Sequence, residues 1–355
     1  MAFQSNADYF KFFANESRRG GSPLYERLSH GIANDVEVQN LAAKRKNGQP
    51  PANLIFGAVH YLLLDGVEDP IAAYYPSLGG TRAADDEAYE LFRAFCRQHE
   101  AEIVEIVASR VTNTNEVGRS ALLAPGFDFV SRLESKPLGL IEIGSSAGLN
   151  LNFDRYGYRY LDESGQPKLE RWLDADFVLA CTLRGQGVPQ LRETPPAVGS
   201  RIGLELQPID ITQENERLWL KALVWPERMD RFARLDGALK VAATHPPTVK
   251  GGDAVLNLSE ALAAVPADQV SCVYHTVMAY QLSREQATRI HDIMLAASQA
   301  RPVYRVTVEG EVVPPNPVAT HNPLKVVRYL NGKLALRSLG VCDPHGTWME
   351  WQFTS

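Results

Sequence analysis

At Lys136-Pro137 the hydrophobic pattern changes from a helical period to that of strands, and this limits the chain to a two-part α/β architecture. Before that point no stretch alternates as a half-buried strand does. Pro51 to Leu64 puts Leu54, Ile55, Ala58, Val59, Leu62 and Leu63 on one helical face. Asp85 to Ser109 is a single long periodic run with acids at its start, and Ala121 to Leu133 reads as a further helix. Between the first two, Pro70 to Thr81 holds Pro70, Pro76, Gly79 and Gly80 and reads as an irregular connection.

After Pro137 short apolar runs take over. Leu138 to Ile143 is closed by Gly144, as a buried parallel strand would be. Phe177–Leu183, Arg201–Leu206, Val270–Val277 and Val303–Val308 are further strand candidates, and helical patterns separate the later ones. Leu324–Leu330 and Lys333–Leu339 flank Asn331-Gly332, a hairpin signal. The expected fold is a doubly wound, mostly parallel sheet with an antiparallel C-terminal hairpin over 136–355. An all-helical domain over 1–135 precedes it.

Composition narrows the function classes. With 36 Lys and Arg against 42 Asp and Glu, the chain carries a formal charge of −6, a poor match to a nucleic acid. The one compact basic run, Lys44-Arg45-Lys46, reads as a solvated loop. The N-terminus shows neither the basic nor the apolar region of a signal peptide, and the best apolar stretch, Leu54–Leu64, is too short to span a bilayer. Four scattered cysteines form no CxxC pair, so the expectation is a soluble, cytoplasmic protein that binds neither membrane nor nucleic acid. Cys96-x-x-His99 and Cys342-x-x-His345 are zinc half-motifs, but Cys96 lies in an amphipathic helix, and no metal is expected. Oligomeric state is not legible.

The most informative segment is Glu142-Ile143-Gly144-Ser145-Ser146-Ala147-Gly148-Leu149-Asn150. Small residues let a ligand approach the backbone, and a helix starting here would offer unpaired N–H groups. The segment resembles the first motif of class I S-adenosylmethionine-dependent methyltransferases, with Glu142, Gly144, Ser146 and Gly148 in the motif positions and Ser146 where that family usually has glycine. Arg201 to Pro208 resembles the family's second strand, whose terminal acid would be Glu205. Asp253, in Lys250-Gly251-Gly252-Asp253, sits where the family carries an adenine-binding acid.

The resemblance implies S-adenosylmethionine as cofactor. Gly144, Ser145, Ser146 and Gly148 would hold its methionine end, with Glu142 and Asn150 among the cofactor contacts, Glu205 on the ribose and Asp253 on the adenine. His275, at the end of a strand, becomes the candidate for deprotonating a small-molecule acceptor. Residues 157–200 would be an insertion, with Tyr158–Tyr160 and Phe177–Leu183 forming a hairpin. The whole chain also resembles an uncharacterised bacterial domain family, through Val59-His60-Tyr61-Leu62-Leu63-Leu64, Tyr74-Tyr75-Pro76-Ser77-Leu78-Gly79-Gly80 and Thr114-Asn115-Glu116-Val117-Gly118-Arg119. His60, Tyr74, Tyr75, Asn115, Glu116 and Arg119 are accordingly candidates for a substrate pocket.

Three other readings use the same residues. A non-catalytic module for a nucleoside-like ligand or a protein partner could share the fold. Gly144-x-Ser146-x-Gly148 also satisfies the serine-hydrolase elbow, with Asp253 and His321 or His345 as partners, although a hydrolase sheet needs strands before its elbow. A nicotinamide site would want an acid near Asp162 or Glu163, where no clean strand is seen.

Overall fold

The computed structural model describes residues 5–113, 115–310 and 322–353. Its helices are α1 (Asn6–Arg19), α2 (Pro23–Ile32), α3 (Val36–Ala43), α4 (Pro51–Leu64), α5 (Asp86–Gln98), α6 (Glu100–Ser109), α7 (Ser120–Leu133), α8 (Glu214–Ala222), α9 (Met229–Thr244), α10 (Ala254–Ala264) and α11 (Arg284–Ala297). The strands are β1 (Leu138–Ile143), β2 (Gly157–Leu161), β3 (Pro167–Arg171), β4 (Val178–Leu183), β5 (Val198–Glu205), β6 (Val249–Gly251), β7 (Val270–Thr276), β8 (Val303–Val308), β9 (Asn322–Leu330), β10 (Lys333–Cys342) and β11 (Trp348–Trp351). The chain forms two compact units. One joins Met1–Thr114 to Thr212–Asp236, and the other joins Asn115–Ile211 to Gly237–Ser355.

The first unit is helical. α4 is buried on nearly every side, and its core partners include Phe10, Tyr25, Phe92 and Trp219. Trp219, from α8, donates its indole N–H to the Val111 carbonyl at 2.9 Å. The single run expected over 85–109 is two helices, broken at His99, whose φ of −112° and ψ of 32° are not helical. The apolar stripe stays in phase across the break, from Cys96 to Ile103, so periodicity could not reveal it. Glu100 and Glu102 suit the new N-terminus. The Pro70–Thr81 connection contains two short 3-10 turns, at Pro70–Tyr74 and Pro76–Leu78.

In the second unit, the described strands form one sheet in the order β3-β2-β4-β11-β10-β9-β8-β7-β1-β5-β6. The run β8-β7-β1-β5-β6 is parallel throughout. β9 is antiparallel to both β8 and β10, as the hairpin signal requires, and Asn331 and Gly332 both take the positive φ of a tight two-residue turn. The pairing expected between 158–160 and 177–183 exists but is parallel; the hairpin is β2 with β3. The Asp162 carboxylate accepts N–H bonds from Ser164 and Gln166, which turns the chain back into β3 and leaves β4 to arrive by a crossover.

Strand alternation sorts this unit's core. Ile141, Ile143 and Val273 face Leu258 and Leu262 of α10 and Ile290 and Met294 of α11. On the opposite face, Phe127 of α7 meets the Tyr274 ring edge-on at 4.9 Å, and a Cβ on Gly126 would come within 2.8 Å of Val306. Pro125 inside α7 cannot bond the Ala121 carbonyl one turn back; the Tyr160 hydroxyl donates to it instead, at 2.8 Å.

Candidate functional site

The glycine turn sits at the carboxyl end of β1, between β5 and β7. Gly144 (φ 72°) and Gly148 (φ 73°) are left-handed, and so is Ser146 (φ 53°), the position where the resembled family favours glycine. β5 holds the turn: the N–H groups of Gly144 and Ser145 reach the Leu204 carbonyl, at 2.8 and 3.4 Å. Gly203 on β5 is glycine because a Cβ there would lie 2.3 Å from the Ser145 hydroxyl. That hydroxyl is buried with no hydrogen-bond partner.

The helix expected after the turn is instead a 3-10 segment, Leu149–Arg155, with a non-helical Asn152. Side chains take the carbonyls an α-helix would use. The Tyr156 hydroxyl donates to Leu149 O at 2.6 Å, Arg201 to Leu151 O at 2.7 Å, and the Tyr158 hydroxyl to Phe153 O at 2.6 Å. The anion-holding α-helix N-terminus anticipated from the sequence is therefore missing at this turn.

Three acids end three adjacent strands. Glu142 in β1 is buried, and burial pushes its carboxyl up to about 8 despite the Tyr274 hydroxyl, the Arg119 charge and the Asn150 amide, which favour the ionised form. Tyr274 donates to its Oε2 at 3.1 Å. Glu205, closing β5, accepts the Ser146 N–H at 2.8 Å and the Gln207 N–H at 3.3 Å. Asp253 follows β6 and caps α10, its Oδ1 accepting from Val255 at 2.7 Å.

The loop before α7 reaches the same place. Asn115 donates to the Ser146 hydroxyl, and the Ser120 hydroxyl donates to Asn150 Oδ1 at 2.7 Å. Arg119 is buried and donates to the Pro344 carbonyl at 2.7 Å and the Thr276 carbonyl at 3.2 Å. Glu116 is buried too, with its carboxylate 3.3 Å from His345 Nδ1.

His275 is turned to the other face of β7. Glu142 and Tyr274 stand opposite each other in the β1–β7 register, so the next residue points away. Its Nδ1 meets Glu309 at 2.6 Å, and its Nε2 accepts from Arg305 at 2.6 Å. Burial and the Arg305 charge hold the ring below its ordinary value, against the pull of Glu309. Glu309 also accepts N–H bonds from Met278 and Ala279, fixing the loop whose Met278 lies against Gly144.

His60, Tyr74 and Tyr75 lie in the helical unit's own core. His60 is enclosed, with Nδ1 3.0 Å from the Ala222 carbonyl and Nε2 2.7 Å from the Ser77 hydroxyl, and burial lowers it to about 4. Tyr74 donates to Asp85 at 2.6 Å, while the Tyr75 hydroxyl is buried without a partner.

Sequence reasoning missed Tyr274, Arg305 and Glu309. The first could have been found by pairing the β1 and β7 candidates in register; the other two carry no motif. For the elbow reading, no described histidine hydrogen-bonds Ser146, and His321 lies outside the described residues. Among the described residues no cluster of His, Cys, Asp or Glu could hold a metal, and no helix is long and apolar enough to cross a membrane. The four cysteines are buried thiols. An open groove of about 590 Å³ between α10 and α11, lined by Leu262, Ile293, Arg289 and Arg301, involves none of the site residues.

The fold and site thus define a mixed α/β protein with a glycine turn edged by acids. Residues 7–351 match the family model described as an uncharacterised protein conserved in bacteria (DUF2332), and the chain belongs to that family. No curated protein and no solved structure matches it.

Proposed function

We propose that the sheet unit binds S-adenosylmethionine on a Rossmann-like, doubly wound frame and methylates a small molecule. The observation that carries this reading is the row of Glu142, Glu205 and Asp253 at the carboxyl ends of β1, β5 and β6, beside a turn with two left-handed glycines. After β2, β3 and β4 at the far edge, the chain adds β5 and β6 on one side of β1, then β7 and β8 on the other. Such a reversal opens a crevice at the strand ends, where ligands of open α/β sheets bind. α7 on one face and α10 and α11 on the other support the doubly wound description.

The residues fit that cofactor in kind. A carboxylate has lone pairs for about four hydrogen bonds. Glu205, with one N–H on each oxygen, retains capacity for a ribose diol. The turn from Gly144 to Gly148 would take the methionine end, and Asp253 the adenine edge. Bound S-adenosylmethionine would supply an electrophilic sulfonium methyl, leaving the protein to orient the acceptor and exclude water. His275 would take an acceptor's proton at Nε2 only after releasing Arg305. That engagement favours a second reading, a non-catalytic binding module for a nucleoside-like ligand.

Calorimetric titration with S-adenosylmethionine and S-adenosylhomocysteine tests the proposal, using wild type and Glu205→Gln. Gln keeps an acceptor for the Ser146 N–H but loses the charge. Micromolar binding weakened at least tenfold in the variant supports it, about 1.4 kcal/mol. No heat and no thermal stabilisation by either ligand would sink the methyltransferase reading.

A further inference from the structure

We propose that His345, oriented by Glu116, is the base that takes the proton of a hydroxyl acceptor, an assignment that rests on the methyl transfer proposed above. β10 is antiparallel to β9, and β9 to β8, so β10 points the same way as β7 and β8. The turn that follows it, at 343–347, therefore opens at the carboxyl ends of the parallel strands, on the rim that carries the glycine turn. Arg119 draws that turn toward β7, the neighbour of β1. Its one guanidinium donates to the Pro344 carbonyl at 2.7 Å and to the carbonyl of Thr276, the last residue of β7, at 3.2 Å.

The imidazole is held from several sides. The Asp343 carboxylate accepts the N–H groups of His345 and Thr347, both at 2.6 Å, and of Trp348 at 3.0 Å, which fixes the turn. Gly346 is left-handed (φ 74°), and a Cβ there would collide with the Gly118 carbonyl, as one on Gly118 would with that of His345. Asn115 and Glu116, adjacent in the loop before α7, reach two parts of the site. Asn115 donates to the Ser146 hydroxyl, and Glu116 Oε2 lies 3.3 Å from His345 Nδ1.

The side chain of Glu116 is 2% exposed and that of His345 42%. Nδ1 is itself buried, so the exposed part of the ring is the part that carries Nε2. A carboxylate at Nδ1 keeps the proton there, leaves the Nε2 lone pair open, and stabilises the imidazolium formed when Nε2 is protonated. The separation is long for a hydrogen bond, as such pairs often are before substrate binds. The Nε2 of His275 offers no open lone pair, because Arg305 donates to it. As the acceptor oxygen bonds to the methyl carbon, the carbon–sulfur bond breaks, its electron pair stays on sulfur, and the hydroxyl proton passes to His345 Nε2. A carboxylate acceptor has no proton to lose, and a neutral amine attacks with its protons in place, so the pair points to an alcohol or phenol.

Nuclear magnetic resonance titration of the full chain, labelled with 15N and 13C at histidine, tests this. The His345 signal is assigned by its absence in His345→Gln. Glu116, Arg119 and Asp343 are the charged groups that the packed loops bring to the ring. The sulfonium of S-adenosylmethionine adds a positive charge that S-adenosylhomocysteine lacks, and a base poised at the reacting centre must feel it. The His345 midpoint should lie about half a unit or more lower with S-adenosylmethionine bound than with S-adenosylhomocysteine bound. An imidazole with a merely structural role would not separate the two ligands. Glu116→Gln should lower the midpoint of the free chain, because the imidazolium loses its counter-charge. The ligand comparison uses wild type, so it stands even where that variant fails to fold. Equal midpoints with the two ligands bound, a neutral ring protonated on Nε2, or a midpoint that folded Glu116→Gln leaves unmoved would overturn the base and leave the cofactor reading intact. Binding of neither ligand would overturn both.

Discussion

The Ser146 backbone N–H points at the Glu205 carboxylate, 2.8 Å from Oε2, and so joins the glycine turn of β1 to the end of β5. Removing the acceptor leaves a donor unsatisfied. Glu205→Ala should lower unfolding stability by about 1–3 kcal/mol in urea melts, and Glu205→Gln by distinctly less.

Ser146 combines a left-handed backbone with a hydroxyl that accepts from Asn115. Ser146→Ala loses the bond and keeps the backbone cost, so a loss of about 1 kcal/mol is expected. Ser146→Gly also loses the bond but relieves roughly 1–2 kcal/mol of left-handed strain, and should match or exceed wild type. Chemical denaturation of the two variants isolates the backbone contribution by difference. A glycine variant no more stable than the alanine one would contradict the strain argument.

Gly203 and Ser145 occupy one space. Gly203→Ala drives a methyl to 2.3 Å from the Ser145 hydroxyl and 2.7 Å from its Cβ. Overpacking of this kind costs about 1–3 kcal/mol. Ser145→Gly in the same chain removes both atoms and should restore part of the loss, a coupling that a double-mutant cycle reads directly.

Burial pushes the Glu142 carboxyl up to about 8 in the folded chain, from the 4.5 of a free glutamate side chain. Between those values the native state holds a proton that the unfolded state has released. The associated stability is complete below about pH 4.5 and is lost as pH rises through about 8. Glu142→Gln should flatten that part of the stability–pH curve. Urea midpoints across the window, compared between variant and wild type, check it, and parallel curves would be the contrary result.

Local signals carried most of the fold. β1, with its apolar run and closing glycine, and the β9–β10 hairpin with its Asn331-Gly332 turn are legible because the information lies within a few residues. β3 is hidden because Pro167–Arg171 is mostly polar and nowhere fully buried, like a loop. The 3-10 segment after Gly148 is hidden for another reason: it depends on Tyr156, Tyr158 and Arg201, the last of them 50 residues from its acceptor. In the candidate site, Glu205 and Ser146 were singled out by resemblance, and the structure joins them through the Ser146 N–H. Tyr274 was overlooked for its neighbour His275, because the register of β7 against β1 decides which of the two faces Glu142.

The helical unit is assembled from two separate stretches of chain, and this bears on its synthesis. Val111 accepts from Trp219, 108 residues downstream, and Trp219 is buried in that unit's core. At ribosomal rates of about 5–20 residues per second, the early helices wait roughly 5–20 seconds for the side chain that completes them. A nascent or truncated chain ending before Trp219 therefore carries an apolar slot open to water, a natural client for chaperones and the stage at which aggregation threatens most.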